Sequence, residues 1–125
     1  MLVVDDHSSV CTALEWLFGG EGFEVTKCQS PEEALRHVQN TEYTVAVIDM
    51  NYSHDTTSGR EGLELLDGMR FIDPELPVIV MTGWTSNAGR TQAIQKGAKD
   101  YIVKPWDDDD FVSAVERWRR RPQEH

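Results

Sequence analysis

The sequence predicts an α/β fold, a doubly wound, five-stranded parallel sheet in the strand order 2-1-3-4-5. Three observations predict it. Short apolar runs alternate five times with helical patterns, which implies βαβ units and right-handed crossovers. The central run, Val45-Ala46-Val47-Ile48, is continuously apolar and mostly β-branched, as suits a strand buried on both faces. Four of the runs end on reactive side chains: Leu2-Val3-Val4 on Asp5-Asp6, the central run on Asp49, residues 78–81 on Thr82, and residues 101–103 on Lys104-Pro105. Ligands of open α/β sheets bind beyond the carboxyl ends of the strands. Carboxylates, a hydroxyl and an ammonium therefore converge at one edge, where strands 1 and 3 meet. The order 2-1-3-4-5 is one of the two common solutions for such a sheet.

Each element has its own signal. Met1 opens directly into the first strand, and Asp5-Asp6-His7-Ser8-Ser9 reads as a loop and helix start. Val10, Leu14, Leu17 and Phe18 then fall on one helical face. Gly19-Gly20-Glu21-Gly22 stops that helix, and residues 23–28 read as a strand. Ser30-Pro31-Glu32-Glu33 carries a cap, a proline for the first helical position and a capping-box glutamate. Ala34, Leu35 and Val38 supply the buried stripe behind it. After the central strand, residues 51–60 read as a polar loop beside the site. Residues 62–71 are helical, with Leu65, Leu66 and Met69 inward, and Asp73-Pro74-Glu75-Leu76-Pro77 breaks the pattern. Thr82-Gly83-Trp84 forms another edge loop. The helix over 86–97 has a thin apolar stripe, since Arg90, Thr91 and Gln92 dilute Ala93 and Ile94, and Gly97 ends it. Asp107 caps the last helix and Asp108 to Asp110 complement its dipole. Phe111, Ala114, Val115 and Trp118 form its inner face.

Size and charge bound the function. The 125 residues suit one domain, read as 1–121 with a tail or linker start at 122–125. Hydrophobic content of 39% and charged content of 27% fit a globular domain, with no apolar run long enough for a membrane span and no signal peptide. The net charge of −10 argues against direct nucleic-acid binding, which needs a basic footprint. Cys11 and Cys28 lack CxxC spacing and read as reduced, buried thiols, consistent with a cytoplasmic protein. His7, His37, His54 and His125 are scattered and none reads as a metal ligand. His7 lies beside the acidic residues in sequence but reads as a surface residue. Arg117, Arg119, Arg120 and Arg121 match the C-terminal dipole of the last helix.

Carboxylates at adjoining strand ends are costly neighbours without a cation. Asp5, Asp6 and Asp49 offer hard oxygen ligands that suit Mg²⁺. Phosphoryl transfer to a carboxylate is the chemistry this suggests, with Asp49 as nucleophile. Lys104 and the cation would offset charge on the transferring group, and Thr82 would donate a hydrogen bond to it.

At this point the chain resembles the receiver domains of bacterial two-component response regulators. The resemblance runs from Leu2-Val3-Val4-Asp5-Asp6 through Val47-Ile48-Asp49, Val80-Met81-Thr82-Gly83 and Gly97-Ala98-Lys99-Asp100-Tyr101 to Lys104-Pro105-Trp106. It implies a flavodoxin-like (βα)5 fold in which Asp49 accepts phosphate from a sensor histidine kinase. It implies Mg²⁺ held by Asp6, Asp49 and the Asn51 backbone carbonyl, with Asp5 helping through water. Thr82 and Tyr101 match the switch pair, and Lys104-Pro105 the family's cis peptide. The resemblance implies a signalling switch rather than an enzyme acting on other substrates, one that controls a transcription output domain in cis if the chain is a fragment. Switching should alter the surface of helix 86–97, strand 101–103 and helix 108–120, through which copies could also pair.

Two features depart from the usual pattern. The loop over 51–60 is about five residues longer than expected, which we read as a solvated insertion, and Trp106 replaces the usual Phe. Both make the chain similar to receivers of sigma-54-dependent activators. A phosphatase of the haloacid-dehalogenase type also uses an aspartate nucleophile, but needs a second acid two residues later, where this chain has Asn51. A degenerate receiver serving only for docking is disfavoured because the acceptor-site residues are all present.

Overall fold

A computed structural model describes residues 1–50, 60–83 and 87–120. The expected loop at 51–59, Asn51 and its carbonyl, His54, Trp84, Arg121, His125 and the tail lie outside the described residues. Strands and helices alternate as β1 (Leu2–Val4), α1 (Ser8–Gly19), β2 (Thr26–Cys28), α2 (Pro31–Asn40) and β3 (Ala46–Asp49). They continue as α3 (Arg60–Ile72), β4 (Val78–Thr82), α4 (Asn87–Gln95), β5 (Asp100–Val103) and α5 (Asp108–Trp118). All pairings are parallel and the sheet order is β2-β1-β3-β4-β5.

The central strands β1, β3 and β4 are buried on both faces because their side chains alternate between two cores. Leu2, Val4, Ala46, Ile48, Val78 and Val80 pack against α2 and α3, through Ala34, Val38, Leu65, Leu66 and Met69. Val3, Val47, Ile79 and Met81 point the other way, onto Cys11, Leu14 and Phe18 of α1 and Phe111, Ala114 and Val115 of α5. This period-2 division of near-continuous apolar runs is what a doubly wound sheet requires. Phe18 meets Phe111 edge to face at 5.2 Å, joining α1 to α5 beneath the sheet.

Local signals set most boundaries. Ser30 Oγ accepts the Glu33 N–H at 3.3 Å, and Asp107 caps α5 by accepting the Asp110 N–H at 3.0 Å. Several boundaries differ from expectation: α4 ends at Gln95 rather than at 97, α5 at Trp118 rather than at 120, and two others are at β2 and α3. Only Thr26–Cys28 of residues 23–28 form β2, because its partner β1 offers three residues and no more. Phe23 and Val25 pack under the sheet instead. Helix α3 starts at Arg60, two residues before the expected Gly62. Trp118 is half-buried rather than fully inward, and its Nε1–H donates to Asp100 Oδ2 at 3.1 Å.

Among the described residues, no helix is long and apolar enough to cross a membrane.

Candidate functional site

β1 and β3 are neighbours in register, Val4 opposite Ile48. Asp5 and Asp49 therefore emerge side by side at the carboxyl edge. Asp5 is fully buried and Asp49 is 2% exposed. Such burial of two carboxylates demands partners. Lys104, arriving from the end of β5, supplies them: its Nζ lies 2.8 Å from Asp5 Oδ2 and 3.3 Å from Asp49 Oδ1. Burial alone would lower the Lys104 pKa. Its bond to Asp5 and the charges of Asp49 and Asp5 outweigh burial and raise it. Lys104 is thus a fixed ammonium at any physiological pH.

The peptide before Pro105 is cis. Lys104 N–H donates to Thr82 O at 2.7 Å, which pins the end of β5 to the end of β4. Trp106 then packs edge to face on Phe111 at 5.3 Å while its Nε1–H donates to Asp108 Oδ1 at 3.0 Å. The indole thus fills an aromatic position and adds a donor that Phe lacks. Thr82 is fully buried at the tip of β4. Tyr101 is half-buried, and the Arg90 guanidinium stands 6.0 Å from its ring centroid.

Asp6, on the loop into α1, completes an acidic cluster. One ligand atom each from Asp5, Asp6, His7 and Asp49 lie within 4.8 Å of one another. Two observations test whether a divalent cation fits here. Three carboxylates against one ammonium leave a formal charge of about −2. Asp6 Oδ1 is buried and has no hydrogen-bond partner. His7 Nδ1 does lie 3.1 Å from it, but the ring's alignment serves Asp5 Oδ1, also at 3.1 Å, and one N–H satisfies one acceptor. A hard, doubly charged cation meets both deficits, so the donor set fits Mg²⁺.

The structure thus brings together Asp5, Asp6, Asp49 and Lys104, with Thr82 beside them at the same edge; Tyr101 is placed farther along β5. His7 is a surface residue, as expected, with its side chain 67% exposed, and its ring nitrogen also sits on two of the acidic residues. The signal was present in Asp5-Asp6-His7. An aspartate readily accepts from the backbone N–H two residues on, and His7 N–H donates to Asp5 Oδ1 at 2.9 Å. That turn folds the ring back toward the carboxylates.

Two of the terminal arginines also do more than complement a dipole. Arg120 forms a double ion pair with Asp73, at 3.1 and 2.6 Å, and its Nε–H donates to Tyr43 O at 2.8 Å. Arg119 stands 5.1 Å over the Phe23 ring.

The sequence pattern of the response regulator receiver domain matches residues 1–116. The chain is 36% identical over 115 residues to the DNA-binding transcriptional regulator NtrC of Escherichia coli K12, covering 92% of this chain and 24% of NtrC. It spans about a quarter of the length of the curated relatives it matches. Among solved structures, the receiver domain of NtrX from Brucella abortus superposes with a TM-score of 0.84 at 28% identity, covering 93% of this chain and 94% of that one. A response regulator from Burkholderia pseudomallei, solved with a phosphorylated aspartic acid, a calcium ion and citrate, gives 0.81 at 25% identity, covering 91% of this chain and 64% of that one. The pattern match extends from β1 into α5 and so takes in all five strands and the reactive edge they carry, and the chain belongs to the receiver domains of two-component response regulators.

Proposed function

We propose that residues 1–121 form a phosphorylation switch in which Asp49 is the phosphoacceptor, served by a sensor histidine kinase. The observation that carries this reading is the placement of Asp49. Its carboxylate is almost fully buried at the end of the central strand, 3.3 Å from Lys104 Nζ and within the acidic cluster. The phosphorylated aspartic acid and calcium ion of the Burkholderia relative support the same chemistry on this fold.

In the transfer, a carboxylate oxygen of Asp49 attacks phosphorus, an O–P bond forms, and the P–N bond to the kinase imidazole breaks. The bonding pair stays on the imidazole nitrogen, which takes up a proton from water. Lys104 is already ammonium and offsets charge on the phosphoryl oxygens without moving a proton. Thr82, at the neighbouring strand tip, donates its hydroxyl hydrogen to one of them. Asp6, Asp49 and the Asn51 carbonyl would hold Mg²⁺, with Asp5 helping through water. When bound, the ion neutralises charge on the transferring group. The domain catalyses only its own phosphorylation and dephosphorylation.

Phosphorylation acts by population shift. Thr82 and Tyr101 form the switch pair, and α4, β5 and α5 carry the changed surface to an output domain or a second copy. A cytoplasmic location follows from the kinase partner. The domain itself makes no contact with nucleic acid.

The test is mass spectrometry after incubation with Mg²⁺ and a small-molecule phosphodonor. One added phosphoryl group on wild type and none on Asp49→Asn is expected. An adduct on Asp49→Asn, or none on a folded, Mg²⁺-bound wild type presented with a phosphorylated kinase, overturns the assignment.

A further inference from the structure

Among the described residues, His7 is a polar side chain at the acidic edge with no part in the chemistry above. It occupies the N-cap position of α1 with extended backbone, φ −95° and ψ 112°, and its side chain makes no capping bond. The ring is turned instead onto the carboxylates, with Nδ1 3.1 Å from Asp5 Oδ1 and 3.1 Å from Asp6 Oδ1. Adjacent donor atoms on one small divalent cation stand about 3 Å apart when each bond is about 2.1 Å. Nδ1 therefore already holds the spacing of a ligand beside the two carboxylate oxygens.

We propose that His7 is a nitrogen ligand of the cation at this edge, and that it moves the site's preference from Mg²⁺ toward borderline divalent ions, of which Ni²⁺ and Zn²⁺ are representative. The proposal rests on the reading of the acidic cluster as a divalent-cation site and adds an imidazole to an otherwise all-oxygen donor set.

Imidazole suits Zn²⁺ and Ni²⁺, whereas carboxylate, carbonyl and water suit Mg²⁺. Ligation needs the neutral ring with its proton moved to Nε2 from Nδ1, where it serves Asp5 Oδ1 when no cation is bound. The 67% exposure of the His7 side chain leaves room for that proton to face water. The Asp6 Oδ1 atom that lacks a hydrogen bond sits next to Nδ1, so a cation held there would engage both. If the ring merely steadied Asp5 by a hydrogen bond, its loss would weaken every cation alike, because the same oxygens bind all of them. A ligand role weakens nitrogen-preferring ions selectively.

The experiment is isothermal titration calorimetry of the full chain with Mg²⁺ and with Ni²⁺, on wild type, His7→Ala, His7→Gln and Asp6→Asn. Long-range ¹H–¹⁵N spectra of the imidazoles are recorded with Zn²⁺. Removing His7 should weaken Ni²⁺ at least about tenfold, the scale expected when a metal site loses a supporting group. Mg²⁺ should change by less than about threefold, and Zn²⁺ should shift the Nδ1 resonance of His7. An equal weakening of Mg²⁺ and Ni²⁺ in both His7 variants, or an unmoved His7 Nδ1 resonance, overturns the ligand role while leaving the Mg²⁺ site standing. Failure of wild type to bind Mg²⁺, with Ni²⁺ affinity unaltered in Asp6→Asn, overturns the cation-site reading itself and the His7 role with it.

Discussion

Gly62 offers the sharpest test of how the edge is built. It lies inside α3, buried where that helix crosses the end of β3. A methyl group added there would stand 2.6 Å from Met50 Cα, 2.7 Å from Met50 O and 2.9 Å from Asp49 O. All three are backbone atoms, so no side chain can swing aside. Nor can the strand retreat, because Met50 N–H is bonded to Met81 O at 2.8 Å across the sheet. Helix propensity alone would favour alanine by about 1 kcal/mol. Overpacking costs about 1–3 kcal/mol, and the rigid backbone here puts Gly62 at the top of that range, so after the propensity gain Gly62→Ala should lose about 2 kcal/mol net. Gly68, in the same helix, is the control. There the nearest atom is Leu35 Cδ2 at 3.0 Å, the end of a flexible side chain, and Gly68→Ala should fall within about 1 kcal/mol of wild type. Urea unfolding with unchanged m-values reads both variants. Because the displaced atoms belong to Asp49 and Met50, Gly62→Ala should also weaken Mg²⁺ binding. Equal stability of the two variants would refute the claim that α3 rests directly on the strand carrying the acceptor.

Three other outcomes follow from the charges and thiols. Lys104→Met leaves two buried carboxylates without their ammonium and should cost about 2–3 kcal/mol in EDTA. Saturating Mg²⁺ should narrow that gap, and a gap that Mg²⁺ leaves unchanged would refute charge compensation. The Arg120 hydrogen bond, together with that residue's charge, holds the Asp73 carboxyl below the usual range against an opposing burial effect. The native pKa is depressed, so this stabilisation is present above the ordinary carboxylate pKa and is lost as pH falls through the native value. Asp73→Asn should therefore be about 1 kcal/mol less stable than wild type at pH 7, and urea titrations should show the gap closing as the pH falls below the ordinary carboxylate range. Burial, helped by the charges of Glu33 and Cys11, pushes the Cys28 thiol up to about 12. Iodoacetamide at pH 8 should modify Cys28 only at the rate of unfolding, and fast labelling of the native protein would refute its burial.

The sheet order and the reactive edge were legible because both rest on local patterns. Apolar runs marked the strands, and Asp5, Asp49, Thr82 and Lys104 each followed one directly. Periodicity says nothing about the length of a partner strand, so the shortness of β2 was not visible in residues 23–28. The start of α3 was hidden by the polar run before it, where Arg60 and Glu61 looked no different from the loop. The exposure of His7 was legible but its contact with the carboxylates was not, because exposure and proximity to a site are independent, and a ring two-thirds in water can still place one nitrogen on a buried carboxylate. The pairing of Arg120 with Asp73 spans 47 positions and has no local signature.

That pairing gives α5 two unlike ends. At its start, Trp106 and the Asp107 cap hang from the Lys104–Pro105 segment and so from the reactive edge. About 16 Å away, one helix length of 11 residues, the chain is bolted to the opposite edge of the sheet. There Arg120 holds Asp73, Tyr43 O and, through its own N–H, Thr44 O. A rod fixed at one end and hung from the site at the other can pivot but cannot slide. Displacement of the Lys104 segment would reach the surface of α5 as a tilt about Arg120, its displacement greatest beside the site and vanishing at that residue.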